Sequence, residues 1–194
     1  MGRAILLSSL VLGLTALLLP RGDNSDVDAG TAVRLDIDEL VNEADQVFEG
    51  YVRESKAVRT AEGRIETEYT IEVDRVFFGD VPGNYSVRIP GGILEDGYGL
   101  ILPGLPEVLA GEEVILFLSE AGGSGVRMPV GLSQGKFRVE TDLSGQRHLT
   151  RRHGSLTTID PQTGQTFDAG GSQVFDYAGT VAEIAAAASL KESR

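Results

Sequence analysis

The sequence of 194 residues contains no cysteine and no tryptophan. The absence of cysteine excludes a disulfide framework, thiolate chemistry and a lipoprotein anchor. The two histidines, His148 and His153, lie outside any His-Glu-x-x-His pattern and have no further ligand close by in sequence. No glycine-rich phosphate loop follows a predicted strand at the required spacing. The sequence therefore predicts neither a metal site nor a cofactor.

Positive charge is also scarce. The chain carries 17 Lys and Arg against 29 Asp and Glu, which gives a formal net charge of −12 at pH 7. A protein of this charge repels phosphate groups, which argues against nucleic acid and anionic membrane surfaces as partners. The charge is typical of an acidic protein that stays dispersed in water.

The longest hydrophobic run of the chain lies near its first residue. Arg3 precedes this run, which extends to Leu19 and is ended by Pro20 and Arg21. A short apolar run after a positive charge is typical of a secretory signal peptide. We therefore interpret residues 1–29 as a signal peptide and linker, and expect a secreted or periplasmic protein without stable membrane insertion after cleavage. An uncleaved anchor is the alternative, and the cleavage site stays open.

The segment from residue 64 to 79 predicts a long β-strand. Apolar or β-branched side chains alternate there with polar ones, four of which are carboxylates: Glu66, Glu68, Glu72 and Asp74. Because side chains of a strand point to opposite faces in turn, one face is apolar and the other acidic. A solvated outer face is the expected role of the carboxylates, and attraction of a cationic partner or calcium is the alternative. The pattern slips after Val73, which predicts a β-bulge near Asp74 and Arg75.

The remaining pattern predicts a mainly β domain with a short N-terminal helix and a C-terminal helix. The first helix should span residues 36–45, with Asp36 and Glu39 as a capping box. A second capping box, Thr180 and Glu183, should begin the closing helix. Further strands are predicted at residues 47–54, 85–89, 114–118, 126–130, 135–140 and 148–150. The run 114–118 (VILFL) is continuously apolar and should be the most buried, central strand. We assign residues 30–151 to the β domain and residues 152–194 to a loop followed by the helix.

Residues 91–112 form a long glycine-rich loop that contains many large apolar side chains. Loops of this length in compact domains are usually functional or disordered, and this one is too apolar for disorder. One hypothesis is a plug over one end of the β domain. The other is a binding loop, with Tyr98 and Leu100 exposed at its tip as candidate partner-binding residues.

Catalytic patterns are weak. Ser155, His153 and Asp160 could be combined into a triad, but no nucleophile elbow surrounds any serine. Arg151, Arg152 and His153 are interpreted as an exposed basic turn. The carboxylates of one strand face do not flank a cleft, as glycoside hydrolysis requires. We therefore predict that the protein is not an enzyme.

Several strand segments resemble the netrin-type module of tissue inhibitors of metalloproteinases. They are residues 44–52 (ADQVFEGYV), 69–73 (YTIEV), 76–79 (VFFG) and 111–117 (GEEVILF). Residues 131–139 (GLSQGKFRV) are similar to an uncharacterised group of secreted bacterial proteins. The resemblance implies a small closed OB-like barrel of five strands in Greek-key order. In the inhibitor family an N-terminal cysteine chelates the protease zinc, and this residue has no counterpart here.

These observations favour a secreted, non-catalytic domain that binds a protein or another surface partner. The first alternative is a regulator or inhibitor of a secreted protease. The second alternative is a hydrolase built around His153. A shared fold would not by itself decide between them.

Overall fold

The computed structural model describes residues 30–167 and 170–194, so the predicted signal peptide lies outside the described residues. The helices are α1 (Ile37–Glu43) and α2 (Tyr177–Glu192). The strands are β1 (Thr31–Val33), β2 (Gln46–Arg59), β3 (Ile65–Phe78), β4 (Asn84–Pro90), β5 (Gly92–Ile93), β6 (Gly99–Leu100), β7 (Glu113–Leu118), β8 (Lys136–Thr141), β9 (Arg147–Arg152), β10 (Thr157–Ile159), β11 (Thr166–Phe167) and β12 (Ser172–Asp176). The predicted mainly β class is confirmed.

One antiparallel sheet of seven strands organises the fold. Its strand order is β12-β9-β8-β7-β2-β3-β4, and β12 and β4 form its two edges. Two smaller sheets, β1-β10-β11 and β5-β6, lie beside it. None of the sheets of the described residues closes on itself, so the closed barrel that the resemblance implies is not seen in the strand pairing.

The long hairpin of β2 and β3 has the predicted bulge. Glu49 pairs with Arg75 and Gly50 pairs with Val73, so Asp74 is the extra residue of β3. A Cβ atom on Gly50 would lie 2.6 Å from the Glu72 carbonyl oxygen. Glycine is therefore required where β2 passes close to the bent strand.

The continuous apolar run from residue 114 to 118 is the centre of the sheet, as predicted. It belongs to β7, which has three strands on either side, and all five of its side chains are fully buried. Its odd and even positions face two different clusters. Ile115 and Phe117 pack under α1 and α2, whereas Val114 and Leu116 pack on the opposite face.

Both helices lie on the Ile115 face of the sheet. The predicted capping box of α1 is confirmed, with Asp36 and Glu39 bonding each other's backbone N–H. The prediction that Thr180 caps α2 is wrong. Asp176, the last residue of β12, accepts a hydrogen bond from the Gly179 N–H at 2.7 Å, so α2 follows the strand directly and Thr180 is buried inside it.

Two other expectations need correction. The segment 126–130 is not a regular strand, because it pairs only through two isolated bridges, Val126 with Arg88 and Pro129 with Leu118. Pro129 has no N–H with which to continue a ladder. Residues 152–179 are not mostly loop, since they contain β10, β11 and β12. These strands are too short and polar to show a period of two, and their pairing with β1 and β9 is long-range.

Candidate functional site

The first half of the long loop folds into a hairpin, residues 91–101, which we call the apolar hairpin. Its two short strands pair Gly92 with Leu100 and Ile93 with Gly99. In the turn, the Leu94 N–H donates to the Tyr98 carbonyl at 2.7 Å, and Gly97 adopts a φ of 84°. A left-handed φ at this position favours glycine, so the local sequence specifies the turn.

The base of the apolar hairpin is fixed to the sheet. The Thr67 hydroxyl donates to the Gly91 carbonyl at 2.7 Å, and the Gly91 N–H donates to the Ile65 carbonyl at 2.8 Å. Gly92 adopts a φ of 136°, and a Cβ atom there would overlap the Thr67 hydroxyl and crowd the Ala57 side chain. The two glycines therefore let the chain pass directly over β2 and β3.

Four large apolar side chains of the hairpin are exposed to solvent. The exposed fractions are 65% for Ile93, 70% for Tyr98, 39% for Leu100 and 78% for Ile101. Both predicted site residues are thus exposed on the same hairpin, and their role in binding stays a prediction. The sequence pattern did not select Ile93 and Ile101. The Asp96-Gly97 pair is a typical hairpin signal that could have placed them beside Tyr98 and Leu100.

The second half of the loop behaves differently. Val108 is buried in the core cluster that also contains Val114 and Leu116, and Leu105 packs against this cluster. This part covers one face of the sheet, as the plug hypothesis expects. The loop is therefore divided into the exposed apolar hairpin, residues 91–101, and a covering segment, residues 102–112.

Shallow grooves lie on both sides of the apolar hairpin, and Leu100 lines both. One groove, of about 410 Å³, also includes Arg64, Glu66 and Val126. The other, of about 460 Å³, includes Tyr69 and extends the apolar surface to the half-exposed Leu109. A partner that holds the hairpin can therefore contact apolar surface on either side of it.

The predicted acidic face of β3 is only partly solvated. Glu66 is 2% exposed and accepts hydrogen bonds from Arg64 Nε at 3.2 Å and Arg88 Nη1 at 3.3 Å. Glu68 and Glu72 are exposed, as predicted. The alternation of the sequence could not separate Glu66 from the others, because its burial depends on Arg88 from the neighbouring strand.

Two residues of the possible triad, Ser155 and Asp160, hydrogen-bond to other groups. Ser155 Oγ accepts a hydrogen bond from the Gly104 N–H at 3.0 Å. Asp160 accepts from the backbone N–H groups of Gln162 and Thr163. The hydrogen bonds of the described residues do not connect Ser155, His153 and Asp160 into a relay.

The prediction of an exposed basic turn is wrong for two of its three residues. The strand β9 extends to Arg152, so Arg151 and His153 point together into the core while Arg152 is exposed. The Arg151 guanidinium lies 5.3 Å from the Phe137 ring centroid and 5.2 Å from that of Phe175. Burial in this aromatic environment lowers the pKa of Arg151 to about 10.

The chain shows no match to a known protein-family model, and no curated protein matches it. Across residues 30–167 and 170–194, no helix is long and apolar enough to cross a membrane. Within the same ranges, no three His, Asp or Glu side chains form a group that could hold a metal ion.

Proposed function

We propose that this protein is an exported, non-catalytic domain that binds a protein partner through its apolar hairpin. The observation that carries the proposal is the exposure of four large apolar side chains within nine residues, on a hairpin whose base is hydrogen-bonded to the sheet. A monomeric protein usually avoids a contiguous apolar patch unless it serves an interaction.

The rigidity of the hairpin supports this role. Its turn is closed by backbone hydrogen bonds and its base by Thr67, so little conformational entropy remains to be lost on binding. Covering apolar surface contributes about 25 cal/mol per Å², which makes a protruding hairpin an efficient anchor. Tyr98 adds an aromatic ring with a polar tip, a side chain that is common at binding hot spots.

The charge around the hairpin indicates which partner it suits. Glu95 and Asp96 stand at the turn beside Tyr98, and the chain as a whole has a net charge of −12. These charges oppose docking on an anionic lipid surface. They favour a protein with an apolar groove and a basic rim, since complementary charge gives specificity and speeds association.

We propose further that the sheet forms the greater part of an OB-like Greek-key barrel. β2, β3 and β4 are consecutive antiparallel neighbours, and β7 pairs with the other side of β2. The two bridges of the segment 126–130 connect β4 to β7. If that irregular segment takes the place of a fifth strand, the order becomes that of a partly open five-stranded barrel. The apolar hairpin then extends from the connection between the third and fourth strands.

Export is proposed from the pattern of residues 1–29. Mass spectrometry of protein recovered from the medium or periplasm should find a new N-terminus between Pro20 and Thr31. Recovery of intact Met1 in the membrane fraction would instead identify the segment as an anchor.

Affinity capture from culture medium, with the bound proteins identified by mass spectrometry, tests the proposed function. Replacing Tyr98 and Leu100 by Ser should remove the captured partner and leave the melting temperature within about 2 °C, because surface changes have small effects on stability. A matched control replaces Leu143 and Val174, two other exposed apolar residues, by Ser. If the control loses the partner equally, or the hairpin variant retains it, the hairpin is not the binding site. The identity of the partner also tests the alternative, because regulation of a secreted protease requires a protease among the captured proteins.

A further inference from the structure

A cavity of about 300 Å³ lies on the other side of the covering segment, between residues 105–112 and the strands β8 and β9. Its volume is at the lower end of the range for small-molecule sites. One wall is apolar and consists of Leu105, Pro106 and Leu109. The floor is polar and includes Lys136, Arg138, Thr150 and Arg152, and Glu107 and Glu112 also line the cavity.

The alternation of two paired strands places the basic side chains together. Lys136 and Arg138 are alternate residues of β8, and Thr150 and Arg152 are alternate residues of β9. Arg138 pairs directly with Thr150, so all four side chains belong to one face of the sheet. The opposite face at these strands carries the apolar side chains that pack under the helices.

Lys136 and Glu112 largely neutralise each other inside the cavity. The Lys136 side chain is 10% exposed, and its Nζ donates to Glu112 Oε2 at 2.6 Å and to the Glu107 carbonyl. Glu112 also accepts a hydrogen bond from the Leu109 N–H at 3.1 Å. This pair closes the deep end of the cavity and fixes the position of the apolar wall.

Two guanidinium groups remain at the mouth. Arg138 is only loosely paired, at 3.7 Å from Glu112 and 3.5 Å from Glu140, and Arg152 is exposed. Within a protein of net charge −12, these two guanidinium groups face an apolar wall, with the carboxylates of Glu112 and Glu140 beside Arg138. Guanidinium groups bind carboxylates well because their planar fork can donate two parallel hydrogen bonds.

We infer that the cavity binds a small organic monoanion, a carboxylate joined to an apolar body. The carboxylate contacts Arg138 and Arg152, and the apolar body lies along Leu105 and Leu109. A dianionic phosphate suits the site less well, because the Glu112 carboxylate lines the same cavity and repels additional negative charge. A free carboxylic acid and the C-terminus of a peptide share the required chemistry.

Calorimetric titration with four probes tests the inference. Octanoate represents a free acid, N-acetyl-leucine a peptide C-terminus, octanol the apolar body alone, and inorganic phosphate the anion alone. We expect octanoate or N-acetyl-leucine to bind at least tenfold more tightly than octanol and phosphate. Tighter binding of octanoate indicates a free carboxylic acid as the ligand, and tighter binding of N-acetyl-leucine indicates a peptide C-terminus. Absence of binding of both carboxylates up to about 10 mM would overturn the inference, since even a weak site has a Kd near 1 mM.

Variants then locate the binding. Arg138→Gln combined with Arg152→Gln should weaken carboxylate binding at least tenfold, whereas Arg59→Gln, an exposed arginine at the end of β2, should leave it unchanged. If the double variant does not fold, Arg152→Gln alone takes its place as the test. Arg152 is exposed, and its replacement should weaken carboxylate binding measurably. Equal affinity of wild type and Arg152→Gln would contradict the assignment. The Tyr98→Ser and Leu100→Ser variant should bind the carboxylate normally, so a failure of this site and a failure of the apolar hairpin are distinguishable.

Discussion

Arg147 and Glu49 are 98 residues apart in the chain, and they form a hydrogen-bonded ion pair with Arg147 Nη2 2.8 Å from Glu49 Oε1. The Tyr177 hydroxyl donates to the same carboxylate oxygen at 2.7 Å. The Arg147 guanidinium also lies 4.0 Å from the Tyr177 ring centroid. Glu49 is 2% exposed, so this cluster joins β2, β9 and the start of α2 at a buried carboxylate.

Replacement of Arg147 by Met should lower the free energy of unfolding by about 1–3 kcal/mol, because a buried carboxylate loses its principal cation. This loss of stability is at the lower end for a broken buried pair, because Glu49 keeps its hydrogen bond from the Tyr177 hydroxyl. Arg75 Nε also lies 4.0 Å from Glu49 Oε2 and supplies a second positive charge. Urea unfolding provides the measurement. Arg59→Met, which removes an exposed arginine from the same sheet, is the control. Equal stability of the two variants would show that the cluster contributes nothing.

The base of the apolar hairpin should not tolerate a side chain at Gly92. Gly92→Ala places a methyl group against Thr67 and requires a φ of 136°, so we expect a loss of more than about 2 kcal/mol in stability. Gly63→Ala is the matched control, because Gly63 also has a positive φ, of 82°, but a methyl group there would meet no other atom within 4 Å. The Gly63→Ala variant should lose about 1 kcal/mol of stability, from backbone strain alone. Indistinguishable losses in urea unfolding would show that the hairpin base is not closely packed.

Stability should depend on pH through His153, which is buried with its ring against Phe167. Burial, and to a smaller extent the positive charge of Arg151, lower the pKa of His153. Between that lowered value and about 6.5, the unfolded chain binds more protons than the folded one. The free energy of unfolding should therefore fall as the pH is lowered below about 6.5, because the folded state resists protonation.

Urea unfolding of wild type and His153→Gln over about pH 5.5–7.5 measures this dependence. Whatever the absolute stability of the variant, its decrease on acidification should be smaller than that of wild type. Parallel pH profiles of the two proteins would assign the dependence to other groups.

The sequence predicted those parts of the fold that depend on local pattern. The alternation before Val73, the bulge at Asp74 and the buried run around Leu116 are each visible in a short window, and all three are confirmed. The cap of α2 was missed, because Thr180 and Glu183 match a capping box that the preceding strand makes unnecessary. The pattern does not show that residues 177–179, between Asp176 and Thr180, are already helical.

The candidate site was predictable only in part. Composition selected the loop and the exposed Tyr98 and Leu100, but it could not separate the covering Val108 from the exposed Ile101. That difference depends on which loop residues join the core cluster that contains Val114 and Leu116. The burial of Arg151 has the same origin, because its aromatic neighbours come from β8 and β12.

Site-specific photocrosslinking from the apolar hairpin tests the central claim most directly. A photoreactive benzoylphenylalanine in place of Tyr98 keeps an aromatic ring at the exposed tip, and the same residue in place of Leu143, outside the apolar hairpin, is the control at another exposed site. After irradiation in culture medium, the position 98 protein should form a covalent adduct with one partner, and excess wild-type protein should suppress it. Adducts of equal yield from position 143, or no adduct from position 98 while the partner is still captured, would contradict binding through the apolar hairpin.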